Sequence, residues 1–173
     1  MKPLNKLLSS IYEIIDSVVV SAVVVLLLFT FVFRIFVVSG PSMNDTLKNG
    51  ERIVVSDIFY TPKNGDIVCF YSKSEDEVLV KRVIATEGQT VNIDEAGGVY
   101  VDGVKIDEQY IGRQFTSAQT VSMPHTVAKD HVFVMGDNRG VSLDSRYSRI
   151  GDIHEPDIFG KMLFRIYPFG KVK

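Results

Sequence analysis

Ser17-Val-Val-Val-Ser-Ala-Val-Val-Val-Leu-Leu-Leu-Phe-Thr-Phe-Val-Phe33 carries no charged side chain, and Arg34 is the one interruption before Ile35-Phe-Val-Val38. A helix needs roughly 20 apolar residues to cross the hydrocarbon core. Residues 17–38 are therefore predicted to form a single transmembrane helix, with Arg34 near enough to its end to snorkel to the interface. A cleavable signal peptide is the rival reading, with Lys2 and Lys6 as its basic start. The apolar run is longer than such a segment needs, which favours an anchor. Lys2 and Lys6 precede the run and only Arg34 follows before Lys48. The positive-inside rule then puts residues 1–16 in the cytoplasm and residues 39–173 outside.

Beyond the anchor the pattern changes to short apolar runs separated by polar turns. Arg52-Ile-Val-Val-Ser56, residues 66–71, 78–86 and 89–93, Val99-Tyr-Val101, Val132-Phe-Val-Met135 and residues 159–167 are rich in Val, Ile, Phe and Tyr. Such runs bounded by Gly, Asn, Asp and Pro read as strands. Asp102-Gly103 between two extended runs reads as a hairpin turn. No segment here keeps a 3.6-residue period for three turns. Residues 39–173 are thus expected to form a mainly β, antiparallel domain, coiled or partly closed. Residues 104–130 are the most loop-like part and are expected to be an insert, a small lobe or a flap.

Residues 39–173 hold 16 Lys and Arg against 19 Asp and Glu, a mildly acidic balance of −3. No basic stripe is present, which argues against nucleic acid as a partner. Cys69 is the one cysteine and cannot form an internal disulfide. His125, His131 and His154 share no ligand spacing, so neither a metal nor another cofactor is expected.

Three segments can carry chemistry. Ser42 lies in Ser39-Gly-Pro-Ser-Met43, directly after the apolar run. A serine hydroxyl attacks only when a base takes its proton. Gly40 lets the backbone approach a ligand closely, and the Ser42 amide is a possible oxyanion donor. Lys81 sits within the strand-like Val78-Leu-Val-Lys-Arg-Val-Ile84. Alternation groups it with Leu79 and Val83, where desolvation would lower its pKa toward that of a working base. A lysine that snorkels to solvent from an edge strand is the plainer reading of that residue alone. The third segment is Gly136-Asp-Asn-Arg-Gly-Val-Ser-Leu-Asp-Ser-Arg146, a dense polar loop after an apolar strand. Asp137 and Asp144 could pair with Arg139 and Arg146 to rigidify it, and Ser142 or Ser145 could orient a neutral amine.

Together Ser39-Gly-Pro-Ser-Met-Asn-Asp-Thr-Leu47, Gly65-Asp-Ile-Val-Cys-Phe70, Leu79-Val-Lys-Arg-Val-Ile84 and the 136–146 loop resemble the ordered boxes of bacterial type I signal peptidases of the Gram-positive type. The resemblance implies a membrane-anchored serine endopeptidase that removes signal peptides from secretory preproteins. Ser42 is then the nucleophile and Lys81 the general base. Ser142 matches the serine that hydrogen-bonds the lysine, and Asp144 and Arg146 match the structural ion pair. It further implies a bilayer setting near the translocation machinery and an extended substrate with small residues at the first and third positions before the cut. By position Val38, Met43 and Val80 would line the pockets, with Gly40 beside them. Three residues or stretches depart from the family pattern. Asp45 stands where proline is usual, Gly40 stands where some members place an oxyanion serine, and Ala85-Thr-Glu-Gly-Gln89 replaces a glycine- and proline-bearing turn.

Two rivals remain at this level. One is a self-cleaving Ser–Lys protease of the SOS-repressor kind, which would carry a DNA-binding domain rather than an anchor. The other is a membrane-tethered β-domain that binds a partner without catalysis. The anchor has its own test. Mass spectrometry of full-length protein isolated from membranes is expected to find residues 17–38 intact in most molecules. An N-terminus after Val38 would make the run a cleaved signal.

Overall fold

The computed structural model describes residues 2–44, 46–170 and 172; Asp45, singled out above, lies outside them. The chain divides into two compact units, residues 1–34 and 35–173. The first is one helix, α1 (Lys2–Val32). Its stretch Ser10–Leu27 is long and apolar enough to cross a membrane and is exposed throughout. The Ser21 and Thr30 hydroxyls donate to the carbonyls of Ser17 and Leu26, four residues back. These two hydroxyls are thereby satisfied inside the helix, as a segment without water would require.

The second unit is mainly β and antiparallel. Its strands are β1 (Arg34–Val37), β2 (Arg52–Ser56), β3 (Ile67–Ser72), β4 (Glu77–Thr86), β5 (Thr90–Ile93), β6 (Val99–Val101), β7 (Val104–Lys105), β8 (His125–Thr126), β9 (His131–Met135), β10 (Ile153–His154) and β11 (Ile158–Tyr167). They form a seven-stranded sheet in the order β1-β2-β11-β3-β4-β9-β10 and a four-stranded sheet in the order β7-β6-β5-β8. The sequence located seven strands, β2 to β6, β9 and β11, to within a residue. It misplaced the end of the anchor: the helix stops at Val32, and the last apolar residues of the predicted 17–38 span enter strand β1. Hydrophobicity alone cannot separate a lipid-facing helix from an apolar strand that follows it directly. The short strands β7, β8 and β10 have two residues each, too few for alternation to show.

Residues 104–130 are expected as an insert, and they supply β7 and β8 to the smaller sheet. The Asp102-Gly103 turn joins β6 to β7 with positive φ at both residues (51° and 79°), the backbone that Asp-Gly favours in a tight hairpin. The Asp102 carboxylate accepts from the Thr90 amide at 2.8 Å, tying this turn to β5.

Three buried apolar clusters hold the domain. One gathers Val38, Met43, Leu47, Ile53, Val55 and Val80 with their neighbours. A second fills the region between the smaller sheet and β4 and β9, around Ile84, Val91, Val99 and Phe133. The third holds Val68, Phe70, Val83 and Val134, with Leu79 packed on it. Val80 and Val83 thus belong to different clusters, as strand alternation requires. Central position matters most. β4 lies between β3 and β9, so residues Val80 to Ala85 are buried without interruption.

β11 crosses the sheet with a bulge between Ile158 and Gly160. Gly160 has φ +131°, and a side chain there would overlap the Ser56 carbonyl group and the Asp57 amide. These are backbone atoms that cannot step aside. Gly160→Ala is expected to destabilise the domain by about 3 kcal/mol through overpacking and backbone strain. Gly103→Ala, whose site is open and whose φ is +79°, should cost only about 1 kcal/mol. Thermal unfolding followed by circular dichroism checks the ranking. Equal losses would show that the β11 bulge tolerates a side chain.

Candidate active site

The loop that carries Ser42 is closed at its base by backbone pairing. Val38 N–H donates to Glu51 O, and Gly50 N–H donates to Val38 O, both at 2.8 Å. Asn49 adds a side-chain lock, its Oδ1 accepting from Gly40 N–H at 2.9 Å. The Gly40 amide is therefore engaged. Gly40 takes φ +79° with open space where a side chain would sit. Among the described residues no acceptor takes the Ser42 amide hydrogen. Val38, Met43 and Val80 keep only 2%, 1% and 8% of their surfaces exposed. They belong to one buried apolar cluster.

Lys81 reaches that loop from the middle of β4. Its Nζ lies 2.9 Å from Ser42 Oγ and donates to Val80 O at 3.1 Å. Lys81 is 2% exposed. Burial disfavours the ammonium and lowers the pKa from 10.5 to about 8, while the carboxylates of Asp144, Glu77 and Asp137 pull it upward. Desolvation is the larger influence. The sequence offered an edge-strand lysine as the plainer possibility, and the sheet order removes it.

The 136–146 loop holds the other side of Ser42. Asn138 N–H donates to Ser42 O at 2.9 Å, and its Nδ2 donates to Pro41 O at 3.1 Å. Gly136 is needed here for space. A methyl group on it would overlap Ser142 Oγ and come within 2.5 Å of Ser42 O. Ser142 is 2% exposed. Its Oγ has no hydrogen-bond partner, so the serine expected to orient the lysine is brought beside the site without touching it. Asp144 and Arg146 form the expected pair, with Nε on Oδ1 at 2.8 Å and Nη2 on Oδ2 at 2.9 Å. Asp144 Oδ2 also accepts from Gly136 N–H at 2.9 Å.

Sequence reasoning kept the charges of this loop to themselves, and the structure pairs two of them elsewhere. Asp137 is fully buried and is forked by Arg82 at 2.9 and 2.7 Å. It also accepts from the Thr46 hydroxyl. One carboxylate therefore ties the residue after Lys81 to the loop that carries Ser42. Arg139, 1% exposed, pairs with Glu108 of the insert. Asn49, Thr46, Arg82 and Glu108 were not found by sequence. The one available hint was Arg82, a second charge beside Lys81 in an otherwise apolar run. Among the described residues there is no group of three or more His, Cys, Asp and Glu able to hold a metal ion.

The family described as signal peptidase, peptidase S26, matches residues 11–167. The chain is 32% identical over 175 residues to a signal peptidase I of Bacillus licheniformis, covering 95% of this chain and 93% of the relative. It is 35% identical over 181 residues to a signal peptidase IB of Staphylococcus aureus (strain COL), covering 94% and 93%. The crystal structure of a signal peptidase I from Enterococcus faecalis V583 is similar with a TM-score of 0.52 at 28% identity. That match covers 60% of this chain and 98% of the other.

Lys81 makes stability depend on pH in a defined direction. Below about pH 8 both folded and unfolded chains carry the ammonium, and the folded chain bears its desolvation. From about pH 8 to 10.5 only the unfolded chain holds the proton, so folded-state stability rises with pH. Lys81→Met removes the buried charge. It is expected to be more stable than the parent at pH 7, by up to ~3 kcal/mol, an advantage that shrinks between pH 8 and 10.5. Denaturant unfolding of both proteins across that range measures the gap. A gap independent of pH would show that Lys81 does not titrate there.

Proposed function

Because the chain belongs to the signal peptidase family, peptidase S26, and is thereby a serine endopeptidase that removes signal peptides from preproteins, we propose that Ser42 is its nucleophile and Lys81 its general base. The observation that carries this reading is the 2.9 Å approach of Lys81 Nζ to Ser42 Oγ. The lysine is almost wholly withdrawn from water. With a pKa of about 8, roughly a tenth of it is neutral at pH 7, against about three in ten thousand at the ordinary value.

The neutral amine accepts the Ser42 proton as Oγ attacks the scissile carbonyl. The oxyanion forms beside the Ser42 amide, whose hydrogen is uncommitted. The resulting ammonium gives its proton to the leaving amine, freeing the mature N-terminus and leaving an acyl-Ser42 ester. The neutral amine then activates a water that hydrolyses the ester. Ser142 contributes its buried hydroxyl to the amine during this cycle, which would fill the hydrogen bond it lacks at rest. Asp144 and Arg146 hold the loop that supports both. Val38, Met43 and Val80 set the floor on which small substrate side chains rest, with Gly40 keeping the approach open.

α1 anchors the enzyme, with residues 1–16 cytoplasmic and the β-domain outside. Substrates reach it there as exported preproteins next to the translocation machinery. Confinement to one bilayer raises the effective concentration of the pair. Exposed Leu163, Phe164, Tyr167 and Phe169 suit contact with lipid.

Ser42→Ala and Lys81→Arg should each lower cleavage of a preprotein by about 10³-fold or more in folded protein, since a guanidinium does not deprotonate. kcat/KM should rise with pH along a limb of apparent pKa about 8, because only the neutral amine is a base. The limb should survive His125→Asn, His131→Asn and His154→Asn. An arginine variant with near-parental activity, or a limb near ~6.5 removed by one of the histidine changes, would exclude Lys81 as the base.

A further inference from the structure

Residues 108–117, in the stretch that sequence treats as an insert, touch all three buried guanidiniums near the reacting pair, those of Arg82, Arg139 and Arg146. The Tyr110 ring lies 3.9 Å from the Arg82 guanidinium carbon. Glu108 pairs with Arg139, and its Oε1 also accepts from Tyr110 Oη at 3.3 Å. Thr116 Oγ1, fully buried, accepts from Arg139 Nη1 at 2.8 Å. Ser117 O accepts from Arg146 Nη1 at 3.3 Å. Gln114 Nε2 donates to Asp137 O at 3.4 Å.

We infer that Glu108 and Tyr110 are positioning residues for the Ser42–Lys81 pair, acting through Arg139 and Arg82, so that the insert is a fixed clamp on the active site. The inference rests on the proposed roles of Ser42 and Lys81. Two lines of contact lead inward. Glu108 and Thr116 hold Arg139, whose Nε donates to Gly136 O at 3.1 Å. Gly136 borders the Ser42 carbonyl, and Asn138 two residues on donates to that same carbonyl. The second line runs from Tyr110 to Arg82, from Arg82 to Asp137, and from Asp137 to Thr46 on the nucleophile loop.

Each line passes through a buried guanidinium, Arg139 or Arg82, so its alignment depends on the partner supplied by the insert. A guanidinium stacked on an aromatic face is held in plane and stays available for its fork to a carboxylate. Without the ring, Arg82 loses that constraint and neutralises Asp137 less completely. The charged groups that act on Lys81 are Asp144, paired with Arg146, Glu77, and Asp137, paired with Arg82. A less neutralised Asp137 favours the Lys81 ammonium. The clamp therefore sets both the geometry of the pair and the pH at which the amine becomes free.

The full-length enzyme in detergent is assayed on a short peptide with small residues at the first and third positions before the cut. Activity is referred to the folded fraction from near-ultraviolet circular dichroism. Tyr110→Phe keeps the ring and should retain activity within about twofold. Tyr110→Leu should lose roughly tenfold or more in kcat with KM within about twofold, and its kcat/KM limb should move to higher pH. Glu108→Gln should lose kcat in the same way. Loss in Tyr110→Leu or Glu108→Gln that only follows the folded fraction, with the parental pH limb, would make these residues merely structural and overturn the inference. So would equal damage from Tyr110→Phe and Tyr110→Leu. If the parent cleaves no better than Ser42→Ala, the proposed dyad fails instead, and the clamp with it.

Discussion

Placing one amine without water in the middle of a seven-stranded sheet is the constraint from which the rest of the domain follows. Among the described residues Lys81 has no carboxylate partner; its Nζ meets a hydroxyl and a backbone carbonyl. A fully paired lysine would keep its proton and could not serve as a base. The surrounding charges are arranged accordingly. Arg82, Arg139 and Arg146 each carry a carboxylate partner, so the negative charge near Lys81 is largely spent on guanidiniums. Desolvation then prevails over attraction.

That arrangement is not the most stable way to build such a core. Buried ion pairs lose much of their Coulomb gain to desolvation, and well-packed apolar replacements are often as stable. What the pairs supply here is position. Asp137 joins β4 to the loop that carries Ser42, Asp144 fixes the Gly136 amide, and Arg139 reaches out to the insert. Three segments far apart in sequence are drawn to one place by directional bonds that an apolar contact would not orient. In these segments the buried Ser142 hydroxyl and Asn44 Oδ1 have no hydrogen-bond partner among the described residues.

The anchor and the β-domain solve separate problems. α1 satisfies its own backbone and the Ser21 and Thr30 hydroxyls within the helix, which suits an apolar surrounding. The domain meets the demand of water by burying its apolar faces. The change comes over two residues, from Val32 at the end of the helix to Arg34 at the start of β1, inside what reads as one hydrophobic run. A strand at that point brings the chain to Ser42 within eight residues.

The sequence by itself determined the class of this protein. A long uncharged run, alternating strand-like segments, an Asp-Gly turn and the 39–47, 79–84 and 136–146 segments were enough to expect an apolar helix and a β-domain and to single out Ser42 and Lys81, which the structure brings within 2.9 Å. Those are local signals, carried by composition, periodicity and ordered motifs. Tertiary structure decided what periodicity cannot report. It settled that β4 is an inner strand, so Lys81 is buried rather than snorkelling. It placed Val38, Met43 and Val80 in the core, and it split the run of residues 17–38 into helix and strand. It also chose the partners of the charges: Asp137 went to Arg82 rather than Arg139, and Arg139 to Glu108. A charge pairs with whichever opposite group the chain brings near it without water, and that distance is a property of the fold, not of spacing along the sequence.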